Sequence, residues 1–202
     1  AQSEWDRLPA AGRAKIIEHA ADLLESRIAE FMALCTREAG KTLADGVAEV
    51  REAVDFCRYY AQQARAQLGQ PMALPGPTGE SNTLHLHGRG VFVCISPWNF
   101  PLAIFMGQVV AALAAGNAVI AKPAEQTNLI AYRAVQVLHE AGIPTDVLQL
   151  LPGDGATVGA ALTRDPRVAG VAFTGSTEVA RLINRTLAAR DAAIGVLVAE
   201  TG

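Results

Sequence analysis

From about Pro9 to Leu68 the apolar residues recur every three or four positions, the spacing of helices with one buried face. Ile16, Ile17, Ala20, Leu23 and Leu24 form one stripe, with Pro9 near its start. Ile28, Phe31, Met32 and Cys35 continue it, and Gly40 suits a left-handed cap. Val47, Val50, Val54, Cys57 and Ala61 mark a further long helix, in which Phe56, Tyr59 and Tyr60 read as packing. Nothing in this helical lead-in reads as catalytic. The Gly- and Pro-rich stretch 69–79 then reads as a loop or linker. Thr83, Leu84 and Leu86, around His85 and His87, suggest a strand running into Gly88. Two histidines two apart on a strand share a face and could bind a metal. With no third ligand nearby, they read as solvent-facing side chains.

After Gly90 the pattern becomes strand, turn, helix, repeated. Strands are expected at Val91–Ile95, Ala118–Ala121, Val147–Leu151, Val168–Phe173 and Ile194–Ala199. Helices are expected from about Leu102 to Ala115, Thr127 to Ala141, Ala156 to Thr163 and Thr177 to Ala188, with Gly116 and Gly142 as caps. That alternation predicts an α/β fold, a doubly wound parallel sheet with an N-terminal helical extension. The expected division is a helical part over 1–68, a linker and strand over 69–90, and a nucleotide-binding sheet over 91–202. In such a sheet the ligand lies beyond the C-terminal ends of the strands.

Composition narrows the choice. The 202 residues are 50% hydrophobic, enough for a sizeable core, and 17 Lys and Arg against 20 Asp and Glu leave a formal net charge of −3. Weak acidity argues against a nucleic-acid or anionic-membrane surface. No leader segment or membrane-spanning run stands out, and no Cys/His cluster suggests a metal. Cys35, Cys57 and Cys94 are scattered through apolar patterns and read as buried free thiols in a reducing compartment, hence a cytoplasmic protein. The ends read as cuts, because Glu200-Thr201-Gly202 follows an apolar strand directly.

The strand ends carry the candidate chemistry. In Ser96-Pro97-Trp98-Asn99-Phe100-Pro101 two prolines stiffen the backbone on either side of Asn99, so its amide is held ready to donate to a developing negative charge. Lys122 ends a buried strand just before Pro123 and can reach ribose hydroxyls or phosphate. Glu125 could take the ribose hydroxyls and repel a 2′-phosphate, although a Lys122–Glu125 surface salt bridge is the rival reading. Gly153–Gly159 approximates a phosphate-binding glycine turn with one residue too many, and a plain tight turn competes with it. Phe173-Thr174-Gly175-Ser176 is a second strand–glycine–helix junction. There Ser176 is a natural N-cap with free N–H groups behind it that could hold a pyrophosphate, Glu178 in the first turn opposes an anion if it turns inward, and a plain capped helix is the rival reading. Glu200 ends the last strand, where burial would raise its pKa and make it a general base, although a solvated strand-end acid is the rival reading.

In this order and spacing, Pro97–Pro101, Lys122-Pro123-Ala124-Glu125, Phe173–Thr177 and Glu200-Thr201-Gly202 resemble the NAD(P)-dependent aldehyde dehydrogenase superfamily over essentially the whole chain. The resemblance implies that Asn99 donates to the oxyanion of a thiohemiacetal and that Glu200 activates the water that hydrolyses the thioacyl-enzyme. It implies contact with NAD by Ile95, Ser96, Pro97 and Trp98, by Lys122 and Glu125 at the ribose, by Gly155 and Gly159, and by Phe173, Thr174, Gly175, Ser176 and Val179. The nucleophilic cysteine of the family falls beyond Gly202, so the chain alone is expected to bind cofactor poorly and not to turn over. The finer likeness is to L-glutamate γ-semialdehyde (Δ1-pyrroline-5-carboxylate) dehydrogenases, especially the dehydrogenase half of the bifunctional proline-utilisation (PutA) enzymes. It is carried by residues 96–127, by Thr-Glu-Val-Ala-Arg after Ser176, and by Glu-Thr-Gly where many relatives have Glu-Leu-Gly. Ala180 stands where many relatives carry Gly. That likeness implies an aldehyde substrate, a homo-oligomeric parent and an FAD-dependent proline dehydrogenase domain before residue 1. It leaves open peripheral attachment of such a parent to the inner membrane. The rivals are another dehydrogenase of the superfamily, such as one for succinate semialdehyde or betaine aldehyde, and a non-catalytic member that has lost its nucleophile.

Overall fold

The computed structural model describes residues 1–202. Four helices lead: α1 (Gln2–Arg7), α2 (Ala10–Ser26), α3 (Ile28–Ala39) and α4 (Leu43–Leu68). Helix α3 stops where Gly40 turns left-handed at φ 65°, a conformation that costs a Cβ-bearing residue steric strain. Helix α4 starts at Thr42, whose Oγ1 accepts from the Asp45 amide at 3.2 Å while its hydroxyl donates to the Asp45 carboxylate at 2.7 Å.

The stretch expected to be a loop contains a strand. Met72–Leu74 (β1) pairs antiparallel with Asn82–Leu84 (β2), in register Met72↔Leu84. The Pro and Gly residues that suggested a linker form the turn of this hairpin, where Gly79 takes φ 92°. Strand β2 ends before His85. The two histidine rings lie parallel in the segment after it, centroids 6.3 Å apart.

Strands β3 (Val91–Ile95), β4 (Ala118–Lys122), β5 (Leu148–Leu150), β6 (Val168–Gly175) and β7 (Val196–Thr201) form one parallel sheet in the order β5-β4-β3-β6-β7. Helices α5 (Ala103–Ala114) and α6 (Asn128–Ala141) make the first two crossovers, and α7 (Ala160–Arg164) and α8 (Thr177–Ala188) the next two. The chain winds outward from β3 to β5, then returns to place β6 on the other side of β3. The order therefore reverses between β3 and β6, which is the topological switch point of the sheet.

Each face has its own core. One unites α2–α6 with Cys94, Val119, Ala121 and Leu148, and the other packs α8 against Val93, Val171 and Phe173. Alternate strand residues feed the two cores, as the period of two requires. Helix α5 is buried at nine of its twelve positions because it lies between the helical layer and the sheet, which explains its nearly continuous apolar sequence. Side chains from the N-terminus hold its far end: Trp5 Nε1 donates to the Leu113 carbonyl at 2.9 Å and Arg13 Nε to the Ala114 carbonyl at 3.1 Å.

Three boundaries differ from expectation in ways that matter. The expected helix at Ala156–Thr163 opens as a wider π turn over Gly155–Gly159, with the Gly159 amide donating to the Asp154 carbonyl, and becomes α-helical only at Ala160. Strands β6 and β7 extend to Gly175 and Thr201, so Thr174 and Glu200 pair within the sheet rather than following it.

Candidate active site

Sheet register lines up the candidate residues. Ile95 pairs with Lys122 on one side and Phe173 on the other, and Thr174 on the next rung pairs with Glu200. All lie at the C-terminal edge, centred on the β3/β6 switch point. Gln108, on α5, bridges that point: its Nε2 donates to the Ile95 carbonyl at 3.3 Å and to Thr174 Oγ1 at 3.0 Å. The sequence reading did not single out this residue. One polar position in an otherwise apolar helix was the available signal.

The turn after β3 is fixed at its base and open at its tip. Ser96 is buried, its amide donating to the Lys122 carbonyl at 3.3 Å, whereas Trp98 and Asn99 are exposed. Helix α5 has no side-chain cap of its own. The cap comes from α4: Glu49, 2% exposed, accepts from the Leu102 amide at 3.2 Å and from the Ala103 amide at 2.9 Å. Lys41 Nζ lies 3.1 Å from the other Glu49 oxygen and 3.9 Å from the centre of the Phe100 ring. A helical lead-in without apparent chemistry thus supports the Asn99 turn. Its signal was an acid set among Gly46, Val50, Ala53, Val54 and Cys57 on the buried face of α4.

On the α7/α8 side lies a cavity of about 490 Å³. Ile95 and Val179 give it apolar walls, Gly155 and Gly159 open its floor, and Lys122 stands at its edge. Gly159 packs on the Lys122 stem, since a Cβ there would sit 3.7 Å from Lys122 Cε. Lys122 is 3% exposed, donates to the Pro123 carbonyl at 3.0 Å and forms no ion pair with Glu125, so the salt-bridge alternative does not hold. Burial holds its ammonium below the usual lysine pKa, opposed by the charges of Glu125 and Asp154. Ser176 caps α8, its Oγ accepting from the Val179 amide at 3.3 Å, and Glu178 is exposed. A Cβ at Gly175 would come within 2.7 Å of the Phe173 ring, so the ring would have to shift to admit any larger residue where β6 passes into this cap.

A second cavity of about 410 Å³ lies between α4, α5 and strands β6 and β7, lined by Phe56, Tyr60, Ile104, Gln108, Thr174 and Glu200 among others. Phe56 and Tyr60, expected only to pack, are wall residues here. Within these residues Glu200 is exposed at the end of β7.

The sequence profile of the aldehyde dehydrogenase family matches residues 1–202. The chain belongs to that family. The bifunctional protein PutA of Escherichia coli strain K12 is 54% identical over 201 residues, covering 98% of this chain and 14% of that protein. The 1-pyrroline-5-carboxylate dehydrogenase of Anoxybacillus flavithermus is 44% identical over 175 residues, covering 87% of this chain and 34% of that enzyme. A crystal structure of Bradyrhizobium japonicum proline utilization A superposes with a TM-score of 0.97 at 65% identity, covering all of this chain and 21% of that one. The chain therefore spans about a seventh of the length of the PutA relatives and a third of the dehydrogenase.

Within this aldehyde dehydrogenase chain the three cysteines are buried and unpaired, and burial pushes each thiol up to about 12. None supplies a thiolate near neutral pH, so none serves as a nucleophile. No group of three His, Cys, Asp or Glu side chains is placed to hold a metal, and no helix is long and apolar enough to cross a membrane.

Proposed function

We propose that the parent of this chain is a cytoplasmic NAD-dependent dehydrogenase that oxidises L-glutamate γ-semialdehyde to L-glutamate in proline catabolism. The observation that carries this reading is the alignment of Ile95, Lys122, Thr174 and Glu200 along one sheet edge, with a cavity on either face of the sheet. Ile95 and Lys122 open on the first, Thr174 and Glu200 on the second, and the Asn99 turn stands at the end of the strand between them. The first cavity fits a dinucleotide. Its apolar walls at Ile95 and Val179 suit a base, buried Lys122 and exposed Glu125 suit ribose hydroxyls, and the start of α8 beyond Gly175 and Ser176 suits a pyrophosphate. A carboxylate at Glu125 disfavours a 2′-phosphate, which points to NAD rather than NADP. NAD, when bound, supplies the hydride acceptor.

The attacking thiol is not among these residues, and the chain's own side chains act around it. Asn99 donates its amide to the oxyanion that forms when a thiol attacks the aldehyde. Glu200 takes a proton from the water that hydrolyses the resulting thioester. Ser96, Pro97 and Trp98 hold the Asn99 turn against the cofactor, and Phe173 and Thr174 form the wall beside it. The aldehyde enters the second cavity, between Phe56, Ile104 and Gln108. The division into 1–68, 69–90 and 91–202 follows these roles: helical support, hairpin, and nucleotide-binding sheet. Exposed Met72, Leu74 and Leu84 on the hairpin give a homo-oligomeric parent a surface to bury. If the parent is bifunctional, as its PutA relatives are, an FAD-dependent proline dehydrogenase unit lies outside these residues.

The test is NADH formation by the full-length protein with glutamate semialdehyde and with succinate semialdehyde. Preference for the former is expected, and equal or reversed kcat/KM defeats the substrate assignment. A residue other than cysteine at the nucleophile position of the full-length chain defeats the catalytic one.

A further inference from the structure

We infer that Glu49 and Lys41 are positioning residues for the reaction, setting the aim of the Asn99 amide through the start of α5. This rests on the oxyanion role proposed for Asn99. Neither residue touches the site; both hold the turn that does. Phe100, Pro101 and Leu102 connect Asn99 to α5, so whatever fixes the Leu102 and Ala103 amides constrains the amide side chain three to four residues earlier. Glu49 Oε2 accepts from the Leu102 and Ala103 amides, at 3.2 and 2.9 Å. The other Glu49 oxygen lies 3.1 Å from Lys41 Nζ, and the same ammonium sits 3.9 Å above the ring of Phe100, the immediate neighbour of Asn99. The turn is therefore held at Phe100, by a cation on its aromatic ring, and just after it, by a carboxylate on the Leu102 and Ala103 amides.

The chemistry of the pair favours a stiff fixture over general packing. A carboxylate accepting two backbone amides at a helix start combines charge-assisted hydrogen bonds with the positive end of the helix dipole. Glu49 is buried on a face otherwise built of Gly46, Val50, Ala53, Val54 and Cys57, where an apolar side chain fills space at no desolvation cost. The Lys41 side chain is 16% exposed, so the ion pair and the helix cap are shielded from water, while the Phe100 ring that the same ammonium meets lies at the exposed rim. A pair that only stabilised the fold has no need to reach Phe100.

The experiment is a double-mutant cycle in the full-length enzyme. Glu49→Ala is expected to lower kcat about 10- to 100-fold while KM for NAD changes less than about threefold, because a displacement of about an ångström at a reacting group has that scale of effect. Glu49→Gln, which keeps an acceptor for the α5 amides, is expected to recover most of the loss. On an Asn99→Ala background Glu49→Ala is expected to change kcat less than about threefold, since the two act through one amide. A loss that multiplies in full on that background, or that falls on KM for NAD alone, overturns the positioning role while leaving Asn99 in place. A near-normal rate for Asn99→Ala alone overturns the oxyanion reading and this inference with it. If Glu49→Ala does not fold, Lys41→Met carries the same cycle, with an expected loss in kcat of about three- to tenfold that disappears on the Asn99→Ala background.

Discussion

Helices α5 and α6 cover one face of the sheet and begin with no side-chain cap of their own, whereas α8 on the opposite face caps itself with Ser176. The helical layer caps the first two from outside. Glu49 accepts from the start of α5, and Glu38 accepts from the Leu129 and Ile130 amides of α6 at 2.9 and 2.7 Å. The π turn before α7 is also closed by a carboxylate, Asp154, accepting from the Thr157 amide at 2.8 Å. Of the four helix starts at this edge, α8 alone is capped by a neutral hydroxyl. A carboxylate consumes both the free amides and the positive potential of a helix start, while a hydroxyl takes one amide and leaves the potential for another anion. The turns leading to α5 and α6 can then offer only side chains, Asn99 in one and Lys122 and Glu125 in the other. The turn leading to α8 offers backbone. On the function proposed above, the caps divide the site into a side-chain half for reaction and ribose and a backbone half for phosphate.

The division can be broken from either half. The largest expected effect is at Asn99: Asn99→Ala in the full-length enzyme should lower kcat by about 10²- to 10³-fold, the usual cost of one lost oxyanion donor. Steady-state NADH formation measures it, and a near-normal rate removes Asn99 from the reaction. Ser176→Asp tests the other half more sharply than an alanine does. Aspartate caps a helix about as well as serine, so the thermal midpoint should hold, but a carboxylate there repels a pyrophosphate and should weaken NAD binding about tenfold. Ser176→Ala should do the reverse, lowering stability by about 1 kcal/mol with little change in Kd. Calorimetric titration alongside thermal unfolding separates the two, and equal Kd values for the Asp and Ala variants would refute the phosphate assignment.

The parts legible in the sequence were those whose cause is local. Helix α8 was read residue for residue because Ser176 and Gly175 both act within their own turn, and Lys122 was placed at a strand end by the apolar run before it. The hairpin strand Met72–Leu74 was missed because its partner, Asn82–Leu84, lies across a Pro- and Gly-rich turn, so only pairing reveals it. Glu49 and Glu38 escaped for a similar reason. Each sits in one helix and caps another, 53 and 91 residues further along.

A smaller effect is expected at the second imported cap. Glu38→Ala strips two amides at the start of α6 of their acceptor and should cost about 1–2 kcal/mol in stability, the scale of a lost N-cap. Because the turn before α6 carries Lys122 and Glu125, KM for NAD should rise about threefold while kcat stays near normal, a loose cap shifting the turn rather than removing a contact. That is the opposite split from the one expected for Glu49. A fall in kcat with unchanged KM would mean that the two carboxylates do not serve separate turns.

The smallest effect is a pH dependence within the side-chain half. Burial lowers the Lys122 pKa, and the charges of Glu125 and Asp154 partly restore it. The folded state therefore binds this proton more weakly than the unfolded chain does, and the resulting penalty on stability is present below the folded pKa and relieved as pH rises towards the ordinary lysine value. Cofactor binding moves the other way. Only the ammonium donates well to ribose hydroxyls, so NAD affinity should fall as pH rises through the depressed pKa, at lower pH than an exposed lysine would impose. Glu125→Gln removes one of the charges that raise the pKa and should shift that alkaline fall to still lower pH, whereas Lys122→Met should abolish it. Kd for NAD measured against pH for the three proteins is the test. An alkaline limb unmoved by Glu125→Gln would show that Glu125 does not share the field of Lys122, and the ribose half of the site would then rest on the lysine alone.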